Sequence, residues 1–126
     1  DVDIPPPPKS LYEFERAWRS LKDNHKPFVR YLATFTQKDF RRVIRESTDM
    51  EVYTSIFAAA NQEMDPISAV KILYYISRTD AFGMTKLMLT GEDRSLVAEI
   101  LHKAEDAAED HEARLQLIRK CKAAYP

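Results

Sequence analysis

The sequence contains very little glycine and a single cysteine. Two glycines in 126 residues leave little room for tight β-hairpin turns or for the glycine-rich loops that bind phosphate groups. The single cysteine, Cys121, excludes an internal disulfide and fits a reducing compartment. No apolar run approaches the roughly 20 residues of a membrane span, and no signal peptide is evident.

The chain also has no large excess of positive or negative charge. The formal net charge is −1, which argues against a dedicated nucleic-acid-binding protein. The composition is 44% hydrophobic and 31% charged, as in a globular chain rather than a disordered one. A chain of 126 residues can bury a core as one domain without a disulfide or a metal ion. It begins with Asp1 rather than Met, so we expect it to be part of a longer protein.

Residues 1–9, DVDIPPPPK, are predicted to form a proline-rich linker. Four consecutive prolines favour the extended polyproline II conformation and cannot continue a helix. We interpret this segment as a tether, with a ligand for an SH3-like domain as the alternative. Ser10 stands three residues before Glu13, a capping-box pattern that predicts the first helix and places a helical domain at residues 10–126.

Helical patterns separated by short connections fill the domain. Residues of N-cap type precede apolar residues at three- and four-residue spacing, and no segment alternates with the period of a strand. We therefore predict an all-α fold without a sheet, either a compact bundle or a short irregular solenoid of seven to eight helices. The predicted helices begin near Ser10, Pro27, Thr36, Asp49, Asp65, Ala81, Thr90 and Asp110.

The sequence leaves two alternatives for the boundary between the last two helices. The stretch 105–112, EDAAEDHE, contains no Gly or Pro, but the apolar stripe is interrupted there. We predict a break with Asp110 as N-cap. One continuous helix is the alternative.

The segment from Asp65 to Leu89 carries more apolar surface than one core needs. At about 100° per residue, Ala81, Met84 and Met88 are predicted to share one side of its second helix. Leu87 is predicted on a separate side. Because methionine is flexible and polarizable, Met84 and Met88 could either fill an irregular core or contact a partner, and the residue pattern leaves both readings open.

Residues suited to catalysis or metal binding are few and scattered. Cys121 falls on the apolar side of the last helix, where we expect it to be a core residue. Nothing in the sequence places His25, His102 or His111 near it, so no nucleophile–base pair can be assembled. His102 and Asp106 are four residues apart, but no further metal ligand has suitable spacing. We expect no catalytic residue, no cofactor, no metal site and no enzymatic activity.

Charged residues are distributed unevenly along the chain. A basic cluster in the second and third predicted helices could contact phosphates or an acidic protein surface. We favour a solvated face that is partly paired with the domain's own acids. The basic residues are Lys26, Arg30, Lys38, Arg41, Arg42 and Arg45, and the late acidic residues are Glu99, Glu105, Asp106, Glu109, Asp110 and Glu112.

Four segments after residue 9 carry a resemblance to a known family. They are SLYEFERAWRSLK, FVRYLATFTQKDFRRVI, DPISAVKILYYISRTDAFGMTKLML and LIRKCKAAYP. Together with the proline-rich lead, they resemble the C-terminal domain of the RNA polymerase II-associated protein 3 and sperm-associated antigen 1 cochaperone family. The resemblance extends over nearly the whole chain after residue 9 and rests on patterns of residue type.

This resemblance implies a non-enzymatic adaptor that docks on a RuvB-like AAA+ ATPase, with the second of the two paralogues favoured. Tetratricopeptide repeats elsewhere in such proteins bind a heat-shock chaperone, so the domain links chaperone and clients to the ATPase during assembly of large complexes. We expect a cytoplasmic location, with the nucleus in addition, and no membrane partner. Self-association through the same apolar face, or a nucleic-acid adaptor using the basic cluster, are the alternatives.

The resemblance also implies a docking surface. In the family it includes a basic residue, a methionine three positions on, and an apolar residue four positions beyond that. These map to Ala81, Met84 and Met88, and Ala81 departs from the arginine that the family often carries. Arg78 or Lys86 is a nearby basic residue that could substitute. The predicted partner-binding residues are Ala81, Met84, Thr85 and Met88.

Overall fold

The computed structural model describes residues 3–126, and within that range the chain forms eight α-helices and no strand. The all-α prediction is therefore confirmed. None of these helices combines the length and the apolar character needed to cross a membrane. The helices are α1 Leu11–Leu21, α2 His25–Leu32, α3 Gln37–Val43, α4 Met50–Glu63, α5 Pro66–Ser77, α6 Phe82–Met88, α7 Gly91–Ala108 and α8 Glu112–Ala124.

Side-chain caps start five of the helices where the sequence predicts them. Thr36 and Thr90 each accept a hydrogen bond from the backbone N–H three residues on, and an aspartate at that position accepts one in return. These reciprocal bonds satisfy backbone donors that a helix start leaves unpaired. The other predicted caps are Ser10, Asp49 and Asp65, and each accepts a backbone N–H bond through its side chain.

Two helix starts differ from the prediction. α2 begins at His25, before Pro27, which lies within its first turn. Such a position suits proline, because its missing N–H has no partner there. α8 begins after His111, whose Nδ1 accepts a bond from the N–H of Arg114 at 3.4 Å. Asp110 is therefore not the cap, although the predicted break between the last two helices is present.

The core lies among helices that are distant in sequence. α5 packs against α3, α4, α7 and α8, and α4 also packs against α2 and α7. These pairs all join helices no more than three places apart in chain order, a pattern that a compact bundle and a short irregular solenoid share. α6 takes part in none of the principal helix–helix pairs.

Part of the proline-rich segment lies against the domain. Pro8 is buried, and its carbonyl oxygen accepts a hydrogen bond from Arg42 Nη1 at 3.2 Å. Ile4 packs against the core cluster. Residues 1 and 2 of the predicted linker lie outside the described residues, and the role of residues 1–9 as a tether stays a prediction.

Candidate partner-docking surface

α6 is attached to the domain along one side. Phe82 is buried, and its ring centroid lies 4.9 Å from that of Tyr125 in an edge-on arrangement. The Thr85 hydroxyl donates to the carbonyl of Ala81 at 3.1 Å and lies 3.0 Å from the hydroxyl of Tyr53 on α4. An aromatic pair of this kind contributes about 0.5–1.5 kcal/mol beyond the area that it buries. These contacts fix the orientation of α6 on the domain.

The other side of α6 exposes three large apolar side chains, which we call the α6 stripe: Met84, Leu87 and Met88. Their exposed fractions are 63%, 72% and 58%. Among residues 3–126, Tyr12 on α1 is the one other large hydrophobic side chain that is similarly exposed. Residues three and four apart are neighbours on a helix surface, so the α6 stripe is continuous. A contiguous apolar surface of this kind is typical of a protein-interaction site.

The burial of individual side chains changes the set of candidate site residues. Met84 and Met88 lie on the surface, whereas Ala81 and Thr85 are only 3% and 5% exposed. The side chains of Ala81 and Thr85 are thus enclosed by the domain itself, and their contact with a partner stays a prediction. Leu87, which the sequence places on a separate side of the helix, is exposed one turn from Met84 and joins the candidate residues. The three-residue spacing was the signal for it in the sequence.

A groove of about 480 Å³ lies beside the start of α6. We call it the α3–α6 groove. It separates Asp80 and Ala81 from the end of α3 and the segment that follows α3. Its lining residues are Arg41, Ile44, Arg45, Glu46, Ser47, Asp80 and Ala81.

The arginines of the basic cluster differ in whether they form an ion pair with an acidic residue. Arg42 forms an ion pair with Asp39 at 3.0 Å, as expected of a face partly paired with the domain's own acids. Arg41 and Arg45 form no ion pair with any acidic residue in the range 3–126. Both are exposed, and both line the α3–α6 groove.

The residues considered for chemistry lie apart from this surface. Cys121 is fully buried, as predicted, and burial raises the pKa of its thiol to about 12. His102 Nε2 and Asp106 Oδ2 are 3.9 Å apart, and both side chains are largely exposed. Across residues 3–126, no group of three or more His, Cys, Asp or Glu side chains is close enough to hold a metal ion.

Residues 7–94 match a protein-family model described as the potential Monad-binding region of RPAP3, the RNA polymerase II-associated protein 3. The matched range covers more than half of the chain and includes both the α6 stripe and the α3–α6 groove. The chain belongs to the RPAP3 C-terminal family. The resemblance seen in the sequence is thus confirmed. The family is described as a protein-binding region and is not a known enzyme family.

The fold of this RPAP3-family chain is similar to a solved structure described as the NMR structure of the C-terminal domain of the human RPAP3 protein. The TM-score is 0.73, and the likeness covers 96% of this chain and 93% of that one. The two sequences are 15% identical, so the likeness supports the fold and not individual contacts. Comparison with curated protein sequences gave no significant match.

Proposed function

We propose that this chain is a non-enzymatic cochaperone adaptor domain that docks on a RuvB-like AAA+ ATPase through the α6 stripe. The second of the two paralogues is the favoured partner. Other parts of the full-length protein would bind a heat-shock chaperone and so connect it, with its clients, to the ATPase. The observation that carries this proposal is the exposure of three large apolar side chains on one short helix within a protein-binding family.

The α6 stripe provides a useful but limited part of a binding free energy. Fully burying a Met or Leu side chain is worth about 1.5–3 kcal/mol, so burying the exposed fractions of these three gives roughly 3–6 kcal/mol. Association costs about 4–15 kcal/mol in lost translational and rotational freedom before any net affinity appears. The α6 stripe therefore fits the role of an anchor, where a few residues supply most of the energy, and it needs polar contacts around it.

The proposal is tested by Met84→Glu in a pull-down with the purified RuvB-like ATPase. A carboxylate at the centre of the α6 stripe would be buried without a partner on docking, so we expect binding to be lost. Tyr12→Glu is the matched control, because it introduces the same charge at an equally exposed apolar side chain on α1. We expect this control to bind like the unmodified chain, and both variants to keep the helical circular dichroism spectrum.

Unimpaired binding by Met84→Glu would move the docking site away from α6. Loss of binding by Tyr12→Glu as well would indicate a general effect of charge and would count against a localised site. Running the two ATPase paralogues in parallel tests the preference for the second one.

Monad is the second candidate partner, because the description of the matching family names it as a potential partner of RPAP3. The same α6 stripe offers the apolar surface that such a contact requires. Purified Monad in a parallel pull-down separates the two proposals. Binding of Monad that is sensitive to Met84→Glu, without binding of the ATPase, would replace the ATPase as the partner. Light scattering of the isolated chain tests self-association, which predicts a mass that rises with concentration.

A further inference from the structure

We infer that the α3–α6 groove receives an acidic side chain of the docking partner, and that Arg41 and Arg45 bind its carboxylate. This inference rests on the proposed function, since it places the acid beside the apolar surface that covers the α6 stripe. The occupant is thus a folded protein whose apolar docking pocket has an Asp or Glu at its edge.

The wall of the groove and the α6 stripe lie within one helical turn of each other. Ala81 lines the groove, and its carbonyl accepts the N–H of Met84 at 3.1 Å. Met84 therefore stands one helical turn beyond the groove wall. A partner surface that covers Met84 and Met88 also reaches the opening of the groove, because one turn of helix spans only about 5 Å.

Arg41 and Arg45 are available for a ligand from outside the domain. Neither forms an ion pair with an acidic residue of the described chain. Arg45 Nε donates to the carbonyl of Arg42 at 3.1 Å, which restrains the side chain but uses none of its four terminal N–H donors. Arg42 is different, since its guanidinium is occupied by Asp39 and by the carbonyl of Pro8.

The local charge favours an acidic partner over a basic one. The groove residues together with residues 78–88 carry four basic side chains but only two acidic ones, Glu46 and Asp80. Neither of those acids forms an ion pair with Arg41 or Arg45. A guanidinium binds a carboxylate through two parallel hydrogen bonds, and docking would shield this pair from water. The basic side chains around α6 therefore match a partner with an acidic rim.

The test is a titration of the chain against the purified RuvB-like ATPase at several salt concentrations. The variant is Arg41→Ala with Arg45→Ala. The matched control is Lys26→Ala with Arg30→Ala, which removes two exposed charges from the same basic cluster outside the groove. We expect the groove variant to bind about tenfold more weakly and with a shallower salt dependence, since interfacial charge pairs add affinity and steer association. We expect the control to stay within about twofold, as is usual for charges remote from an interface.

The outcomes separate this inference from the proposed function. If Met84→Glu abolishes binding while the groove variant binds like the unmodified chain, the acidic contact is refuted and docking through α6 stands. An equal loss in the groove variant and in the control would also refute the inference, because only net charge would then matter. If the unmodified chain does not bind the ATPase even at low salt, the proposed function fails, and the occupant named here fails with it.

Discussion

Replacing neighbouring residues on α6 with alanine tests whether the helix has one buried side and one exposed side. Phe82→Ala removes a ring that is 6% exposed, and Met84→Ala removes a side chain that is 63% exposed, only two residues away. Both changes leave the helix with a residue of high helical propensity, so propensity does not confound the comparison. The two variants should therefore differ in free energy of unfolding, because the two side chains differ in burial.

The expected magnitudes are far apart. Truncation of a buried Phe to Ala typically costs about 3–5 kcal/mol, from lost burial and from the cavity that remains. Phe82→Ala also removes the edge-on contact with Tyr125. Substitution at an exposed position such as Met84 typically changes stability by no more than about 0.5 kcal/mol. A chain of this size has a free energy of unfolding of roughly 5–15 kcal/mol, so Phe82→Ala should remain folded and measurable.

The assay is thermal and urea unfolding followed by far-ultraviolet circular dichroism. At roughly 4 °C per kcal/mol, Phe82→Ala should lower Tm by more than 10 °C, and Met84→Ala by about 2 °C or less. Phe82→Leu serves as a graded control, because it keeps most of the apolar volume and loses mainly the ring contact with Tyr125. Its Tm should fall between the other two. A loss of stability in Met84→Ala as large as in Phe82→Ala would show that the methionine is covered by the domain, and would refute an exposed α6 stripe.

Two further predictions concern residues outside α6. Burial raises the pKa of the Cys121 thiol to about 12, so the thiol should stay protonated at pH 8. It should react with a chromogenic disulfide only after the chain is unfolded in urea. Prompt labelling of the native chain would contradict this burial. Glu109 adopts φ 50° and ψ −121° between α7 and α8, a conformation that favours glycine, so Glu109→Gly should stabilise the domain by up to about 1 kcal/mol. The matched variant Asp110→Gly, at a position without positive φ, should not raise Tm, and a lower Tm for Glu109→Gly would rule out strain at that residue.

The helix starts could be predicted from sequence because their signals are local. Thr36 with Asp39, and Thr90 with Asp93, need only three residues of chain to form their reciprocal bonds. At the α7–α8 boundary, such local signals do not identify the N-cap residue. Asp110 is a common N-cap type, but the chain turns at Glu109 and leaves His111 at the capping position. Sequence alone does not fix which of three adjacent polar residues takes the unusual backbone conformation.

The candidate surface was only partly predictable, because burial depends on tertiary contacts. Helical periodicity groups Ala81 with Met84 and Met88. Which of these side chains is buried depends on the side from which the rest of the domain packs against the helix. Thr85 is enclosed because the Tyr53 hydroxyl, 32 positions earlier, meets its side chain. The surroundings of Arg45 are likewise tertiary, since it lines a groove whose other wall is formed by Asp80 and Ala81. Neither relation is visible in the spacing of residues along one helix.

The contacts that hold α6 on the domain affect how it could bind a partner. It has seven residues, and its N-cap residue, Ala81, provides no side-chain hydrogen bond. A helix this short is not stable by itself in water, so its structure depends on the buried contacts of Phe82 and Thr85 with the domain. Those contacts leave the side chains of Met84, Leu87 and Met88 largely exposed, yet they hold the backbone beneath them in place. A partner would then have to order only side chains and not a loop, which lowers the entropic cost of docking on the α6 stripe.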